Sequence, residues 1–165
     1  AQMGVDDASF FRAMASFKGA GRRLEKLCDH KDVVVFRDFA HAPSKVLATH
    51  AAVREMYPGR KLIACVELHT FSSLNVEFLP QYQGSLAQAD EAYVFYSPDA
   101  IRLKRLPMLN ETDITKAFDK AGLGVFTNVQ QLKDAILLSL KEPPAVLLMM
   151  SSGSFAGMDI NAFCP

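Results

Sequence analysis

The chain has no surplus of either charge. Its 18 lysines and arginines balance 18 aspartates and glutamates, which leaves no electrostatic case for binding nucleic acid or an anionic membrane surface. No apolar run reaches the length of a membrane span, and the N-terminus has no basic-then-apolar leader pattern. Cysteine is scarce: Cys28, Cys65 and Cys164 are far apart and form no C-x-x-C pair. They are therefore expected as reduced thiols of a cytoplasmic protein, not as disulfides or zinc ligands. Several catalytic signatures are missing too. There is no G-x-S-x-G elbow, no H-x-x-x-H pair or carboxylate cluster for a metal, and no G-x-G-x-x-G fingerprint. Without a G-x-x-x-x-G-K-[ST] loop the chain cannot cradle nucleotide phosphates alone, so any ATP chemistry needs another domain to hold the phosphates and magnesium.

What is present is core-forming sequence. Half of the 165 residues are apolar, which fits one domain with a short piece of a neighbour. Residues 7–17 show helical spacing of Phe10, Phe11, Met14 and Phe17, with Asp7 as a cap. We read residues 1–17 as a lead-in or the last helix of a preceding domain, Lys18–Gly21 as a hinge, and 18–165 as the main domain. Residues 22–27 alternate as a half-exposed strand does. Val33–Phe36, Lys61–Glu67, Ala92–Tyr96, Val125–Thr127 and Ala145–Met150 read as further strands. Helices are expected over Pro43–Tyr57, irregularly over Val76–Ala89 because of Pro80 and Gly84, over Glu111–Ala121 with Asn110 or Thr112 as cap, and after Asn128. Strands alternating with helices predict an α/β fold: a Rossmann-like three-layer sandwich, with a mostly parallel sheet of about six strands and helices on both faces.

Right-handed crossovers place the strand C-terminal ends on one edge. The polar residues gather there: Asp38 and His41, then Glu67, His69 and Thr70, then Tyr96 and Ser97, Asn128, and Ser151 to Ser154. Such an edge is where open α/β sheets bind ligands. An aspartate at a strand exit can accept both hydroxyls of a ribose. Equally, Asp38 can simply cap the helix, with His41 on the surface. Arg22-Arg23 is either solvated surface or a phosphate clamp. The loop Ser151-Ser152-Gly153-Ser154 is either a tight turn or a close-approach loop with donors for a carboxylate or peptide.

Three segments taken together resemble the C-terminal domain of Mur ligases, the ATP-dependent amino-acid ligases of peptidoglycan synthesis. They are Ser16-Phe17-Lys18-Gly19-Ala20-Gly21-Arg22-Arg23-Leu24-Glu25, Asp38-Phe39-Ala40-His41-Ala42-Pro43 and Tyr57-Pro58-Gly59-Arg60-Lys61-Leu62. The resemblance runs from about residue 8 to residue 160, and folylpolyglutamate synthetases share the D-x-A-H-x-P element. The loop Met149-Met150-Ser151-Ser152-Gly153-Ser154-Phe155-Ala156-Gly157 resembles the murein-peptide ligase branch, which joins UDP-N-acetylmuramate to an L-alanine-initiated tripeptide. The sister branch is the UDP-N-acetylmuramate–L-alanine ligases. Against both, the second histidine before the proline is Ala42 here, and the exit after Lys61–Glu67 lacks their arginines.

The resemblance implies a cytoplasmic, ADP-forming ligase of the murein-peptide type working through an acyl phosphate; the alternatives are a UDP-N-acetylmuramate–L-alanine ligase domain, a folylpolyglutamate-synthetase-like ligase domain and a stand-alone Rossmann-like binding module. This chain would be the ligase's third domain, inactive alone and partnered by N-terminal and central domains of the same polypeptide. It implies ATP with Mg2+, held mainly by the central domain, and UDP-N-acetylmuramate with an amino-acid or peptide acceptor as substrates. It implies that Arg23, Asp38 and His41 face the nucleotide, and that Glu67, His69, Thr70, Ser152, Gly153, Ser154 and Phe155 face the acceptor, with no metal ligand in this domain.

Overall fold

The computed structural model describes Gly4, residues 6–15 and residues 21–165. Phe17 and the Lys18–Ala20 part of the expected hinge lie outside the described residues. The sheet begins with an antiparallel pair, β1 (Glu25–His30) and β2 (Val33–Asp38). Lys31 and Asp32 turn between them at φ 48° and 62°, the left-handed two-residue loop that matches strand twist. Four strands follow: β3 (Lys61–Leu68), β4 (Glu91–Tyr96), β5 (Gly124–Phe126) and β6 (Ala145–Met150). The order is β1-β2-β6-β3-β4-β5, and every pair after the first is parallel. The expected sheet is therefore found, with the half-exposed edge strand at Glu25–His30 instead of 22–27.

All six residues of β6 are buried, because β2 and β3 cover its edges and helices cover both its faces, as its unbroken apolar run requires. The helices are α1 (Asp7–Ala15), α2 (Pro43–Met56), α3 (Pro98–Leu103), α4 (Glu111–Phe118) and α5 (Val129–Ser139). One core holds Val46 and Val53 of α2, Ile101 of α3, and Ile114 and Phe118 of α4 against one sheet face. The other holds Leu132 and Ile136 of α5, with Phe155, Ile160 and Phe163. The faces differ because the chain steps outward from β2 to β5 and then returns to β6. A right-handed connection in the opposite direction must cross the opposite face.

Some expectations give way. Residues 76–89 hold no α-helix, only a short 3-10 turn at Leu79–Tyr82, since Pro80 lacks an amide and Gly84 adopts φ 70°. Ser97-Pro98, just past the expected strand Ala92–Tyr96, starts α3: Ser97 accepts the Ala100 amide, and proline sits in the first turn. The first helix is capped by Asp6, which accepts the Ser9 amide at 2.8 Å, not by Asp7. Asn110 and Asn128 do cap α4 and α5. Cys28 and Cys164 form a disulfide, with Cα atoms 5.9 Å apart. Their sequence spacing carried no sign of this, because only the fold brings β1 beside the turn at Ile160–Phe163.

His50 is fully buried on α2, and neither ring nitrogen has a partner among the described residues. Burial pushes its pKa down from 6.5 to about 4; the charges of Arg54 and Lys120 push the same way, and Asp90 opposes them. The unfolded chain thus takes up a proton that the folded chain refuses. His50's contribution to stability is complete above its unfolded pKa and is lost as pH falls toward the folded one. Urea unfolding at about pH 7.5 and about pH 5 should show His50→Leu sparing about 2 kcal/mol of the wild-type loss. Equal losses in both proteins would show that the ring is hydrated or already paired.

Candidate functional site

The parallel register sets Asp38 beside Met150, and Met150 beside Val66. The exits of β2, β6 and β3 therefore meet on one edge. Asp38 is the pivot. Its Oδ1 accepts the Ala40 amide at 2.6 Å and the Thr49 hydroxyl at 3.4 Å, and its Oδ2 accepts the Leu24 amide. The Phe39 amide in turn donates to the Arg22 carbonyl at 2.6 Å. These bonds fasten the segment before β1 onto the β2 exit. Arg22 and Leu24 there adopt φ 59° and 46°, a conformation that costs a residue with a side chain roughly 1–2 kcal/mol. The charged acceptor offsets that cost.

Two cavities flank Asp38. One, of about 440 Å³, is lined by Arg23, Asp38, Phe39, Ala40, His41, Lys45 and Thr49. It gathers the three residues expected to face a nucleotide. The His41 ring sits edge-on to Phe39, with Nδ1 2.9 Å from the Phe39 carbonyl, and the His41 carbonyl accepts the Tyr82 hydroxyl. Lys45 had no sequence signal beyond that of an ordinary helix-surface lysine. Among the described residues, neither Arg23 nor Lys45 has a hydrogen-bond or ion-pair partner, so the cavity carries two uncompensated cations that suit phosphate oxygens.

The second cavity, of about 220 Å³, lies between Arg22, Arg37 and Asp38 on one side and Ser151, Gly153 to Phe155 and the Met158–Asn161 stretch on the other. The serine loop is built over Glu67, which is 2% exposed. Glu67 accepts the Ser151 hydroxyl and, at 2.9 Å, the Phe155 amide. A Cβ on Gly153 would lie 2.7 Å from Glu67 Oε2 and 2.9 Å from His69 Cγ, so only glycine fits there. Phe155 adopts φ 49° and packs its ring against Phe95 at 6.2 Å.

Of the residues expected to face an acceptor, Gly153, Ser154 and Phe155 line this cavity. Glu67 lies beneath the loop, with His69 Nδ1 3.9 Å from its Oε1. Thr70 spends its hydroxyl within its own turn, on Ser72 and Ser73. The Ser152 hydroxyl is buried, without a partner among the described residues, and reaches neither cavity. Arg22, read with Arg23 as either solvated surface or a phosphate clamp, and Arg37, which has no sequence signal beyond surface charge, also line the cavity. Among the described residues, no cluster of His, Cys, Asp and Glu is placed to hold a metal ion, and no helix is long and apolar enough to cross a membrane.

The rim thus carries a cavity lined by Arg23, His41 and Lys45 and an adjoining cavity walled by the serine loop, on either side of Asp38. The chain belongs to the Mur ligase family: the family's glutamate ligase domain matches residues 22–153. It is 36% identical over 105 residues to a UDP-N-acetylmuramate–L-alanine ligase of Flavobacterium johnsoniae, covering 64% of this chain and 22% of that protein. Against the enzyme of the same name from Acidithiobacillus ferrooxidans it is 28% identical over 165 residues, covering 95% of this chain and 34% of the relative. The chain thus spans about a third or less of either relative's length. The crystal structure of a murein peptide ligase from Psychrobacter arcticus superposes with a TM-score of 0.65 at 23% identity, over 94% of this chain and 32% of that one, a likeness of fold.

Proposed function

We propose that this chain is the C-terminal, closing domain of a cytoplasmic ADP-forming ligase that joins UDP-N-acetylmuramate to an acceptor beginning with L-alanine. The observation that carries this reading is the pair of cavities on either side of Asp38, one cationic and one roofed by the serine loop, on a Mur ligase domain without a P-loop. ATP with Mg2+, held chiefly by a central domain, supplies the phosphoryl group that activates the muramate carboxylate as an acyl phosphate. Arg23 and Lys45 face the phosphates and His41 lines the same cleft. Asp38 already accepts backbone amides on both oxygens, but a carboxylate offers about four lone-pair sites, so a ribose hydroxyl can still be received. The residues of the second cavity hold the acceptor. The domain's contribution is positional, bringing amine and acyl phosphate together on closure with N-terminal and central domains of the same polypeptide. Alone the chain is expected to be inactive.

Two acceptors compete. The Ser151–Gly157 loop favours the murein tripeptide, whereas the relatives at 36% and 28% identity are named for L-alanine. The full-length enzyme, assayed for ADP release with UDP-N-acetylmuramate and either L-alanine or L-Ala-γ-D-Glu-meso-diaminopimelate, decides between them. Turnover with the tripeptide and not with alanine is expected. Turnover with alanine alone selects the second acceptor, and turnover only with a folate and glutamate overturns the assignment.

A further inference from the structure

The left-handed turn at Arg22 and Leu24 sends two consecutive arginines to different places: Arg22 lines the smaller cavity and Arg23 the larger. Tandem arginines on an extended strand diverge as well, but here the bonds of Asp38 to the Leu24 amide and of Phe39 to the Arg22 carbonyl fix the divergence onto the β2 exit. A charged group positioned by that many backbone contacts is set up to meet something specific.

In the smaller cavity several amides of the serine loop are already committed, while the Ser154 amide and hydroxyl have no acceptor among the described residues. The Ser151 amide donates to the Asp38 carbonyl, Gly153 to Ser151 Oγ, Phe155 to Glu67, and Gly157 to Ser154. Arg37 is committed as well, since Glu25 accepts from its Nη2 at 2.8 Å and its Nε at 3.3 Å. Arg37 and the Arg22 amide hold the Glu25 carboxyl below its ordinary pKa, so the pair stays ionised and self-neutralised. Arg22 remains. Its guanidinium makes no hydrogen bond or ion pair among the described residues and meets Glu25 only through a longer-range coulombic attraction, in a cavity that Asp38 and Asp159 also line. Asp159 Oδ1 is occupied by Asn161 at 3.0 Å and 3.1 Å.

We propose that Arg22 receives the carboxylate of the incoming acceptor, an amino acid or the carboxylate-bearing part of a peptide, while its neighbour Arg23 serves the nucleotide. This assignment rests on the ligase reading above and adds the residue that recognises the acceptor. It also makes one dipeptide the point where both substrates are sensed, with Asp38 keeping the two guanidinium groups apart.

The test separates the two arginines in the full-length ligase. Arg22→Ala should raise KM for the acceptor at least ten-fold and leave KM for ATP within two-fold, and Arg23→Ala should do the reverse. Arg22→Lys should recover part of the loss, and replacing the acceptor carboxylate by an amide should penalise the wild type far more than Arg22→Ala. A purely structural role for Arg22 would not erase that preference. If both variants raise the same KM, or Arg22→Ala leaves the acceptor unaffected, the assignment is overturned. A second readout needs no turnover. Titrating this chain with L-Ala-γ-D-Glu-meso-diaminopimelate should shift the Gly153 and Ser154 amide resonances, the same peptide with its carboxylates amidated should not, and Arg22→Ala should abolish the shift. An inactive wild type that still shows this titration pattern counts against the ligase reading and for Arg22; an active wild type without it counts against Arg22.

Discussion

Reducing the Cys28–Cys164 bridge should lower the unfolding free energy by about 2–5 kcal/mol. The bridge spans 136 residues, nearly the whole sheet. In the chain-entropy account a loop of that size withholds close to the upper end of the range from the unfolded state, and local relaxation reduces what is realised. Urea unfolding with and without dithiothreitol should show a lower midpoint on reduction, and Cys28→Ser should reproduce it without reductant. Cys65 is an internal control: it is fully buried, and burial pushes its thiol pKa well up, so it should neither exchange nor contribute. An unchanged midpoint would mean that the bond does not form in solution. In a reducing cytoplasm the two sulfurs stay as thiols, and the stretch from Met158 to Asn161 that walls the smaller cavity loses its covalent tie to β1.

Asp38→Ala should cost about 3 kcal/mol, because it strips a charged acceptor from the Leu24 and Ala40 amides, bonds of a kind worth about 1.5–3 kcal/mol each. Asp38→Asn keeps one acceptor oxygen and should cost about half as much. The effect should not stop at stability. With Leu24 released, the left-handed turn relaxes and both arginines lose their aim, so KM should rise for ATP and acceptor together, unlike either arginine variant. Loss of ATP affinity alone, with stability unchanged, would show that Asp38 acts only as a ribose ligand.

The architecture was legible where one local signal dominates. Pro43 in a first turn marks α2, the apolar run at 145–150 marks a fully covered strand, and Asn128 marks the start of α5. Ser97-Pro98 was ambiguous because the same pair that ends a strand can cap a helix. Residues 76–89 kept an apolar pattern without the backbone to use it as a helix. The rim itself could be read, since polar residues at successive strand exits must converge in a parallel sheet. What could not be read was direction. Whether Arg22 and Arg23 share a cavity depends on two positive φ angles at residues that are not glycine, and Ser152 and Ser154 part company for a similar reason, the tight packing of Gly153 over Glu67. The disulfide and the burial of Glu67 arise only from contacts between residues 136 and 88 positions apart.

The position of β6 has a consequence for biosynthesis. It follows every other strand in the chain, yet it pairs with β2 on one side and β3 on the other. While the ribosome is still translating, β1-β2 and β3-β4-β5 are two separate sheet fragments, each with an unpaired inner edge open to other nascent chains. The rim where the cavities form does not exist until the final segment is threaded between them, so premature termination upstream of Ala145 yields a sticky polypeptide rather than a weakened enzyme.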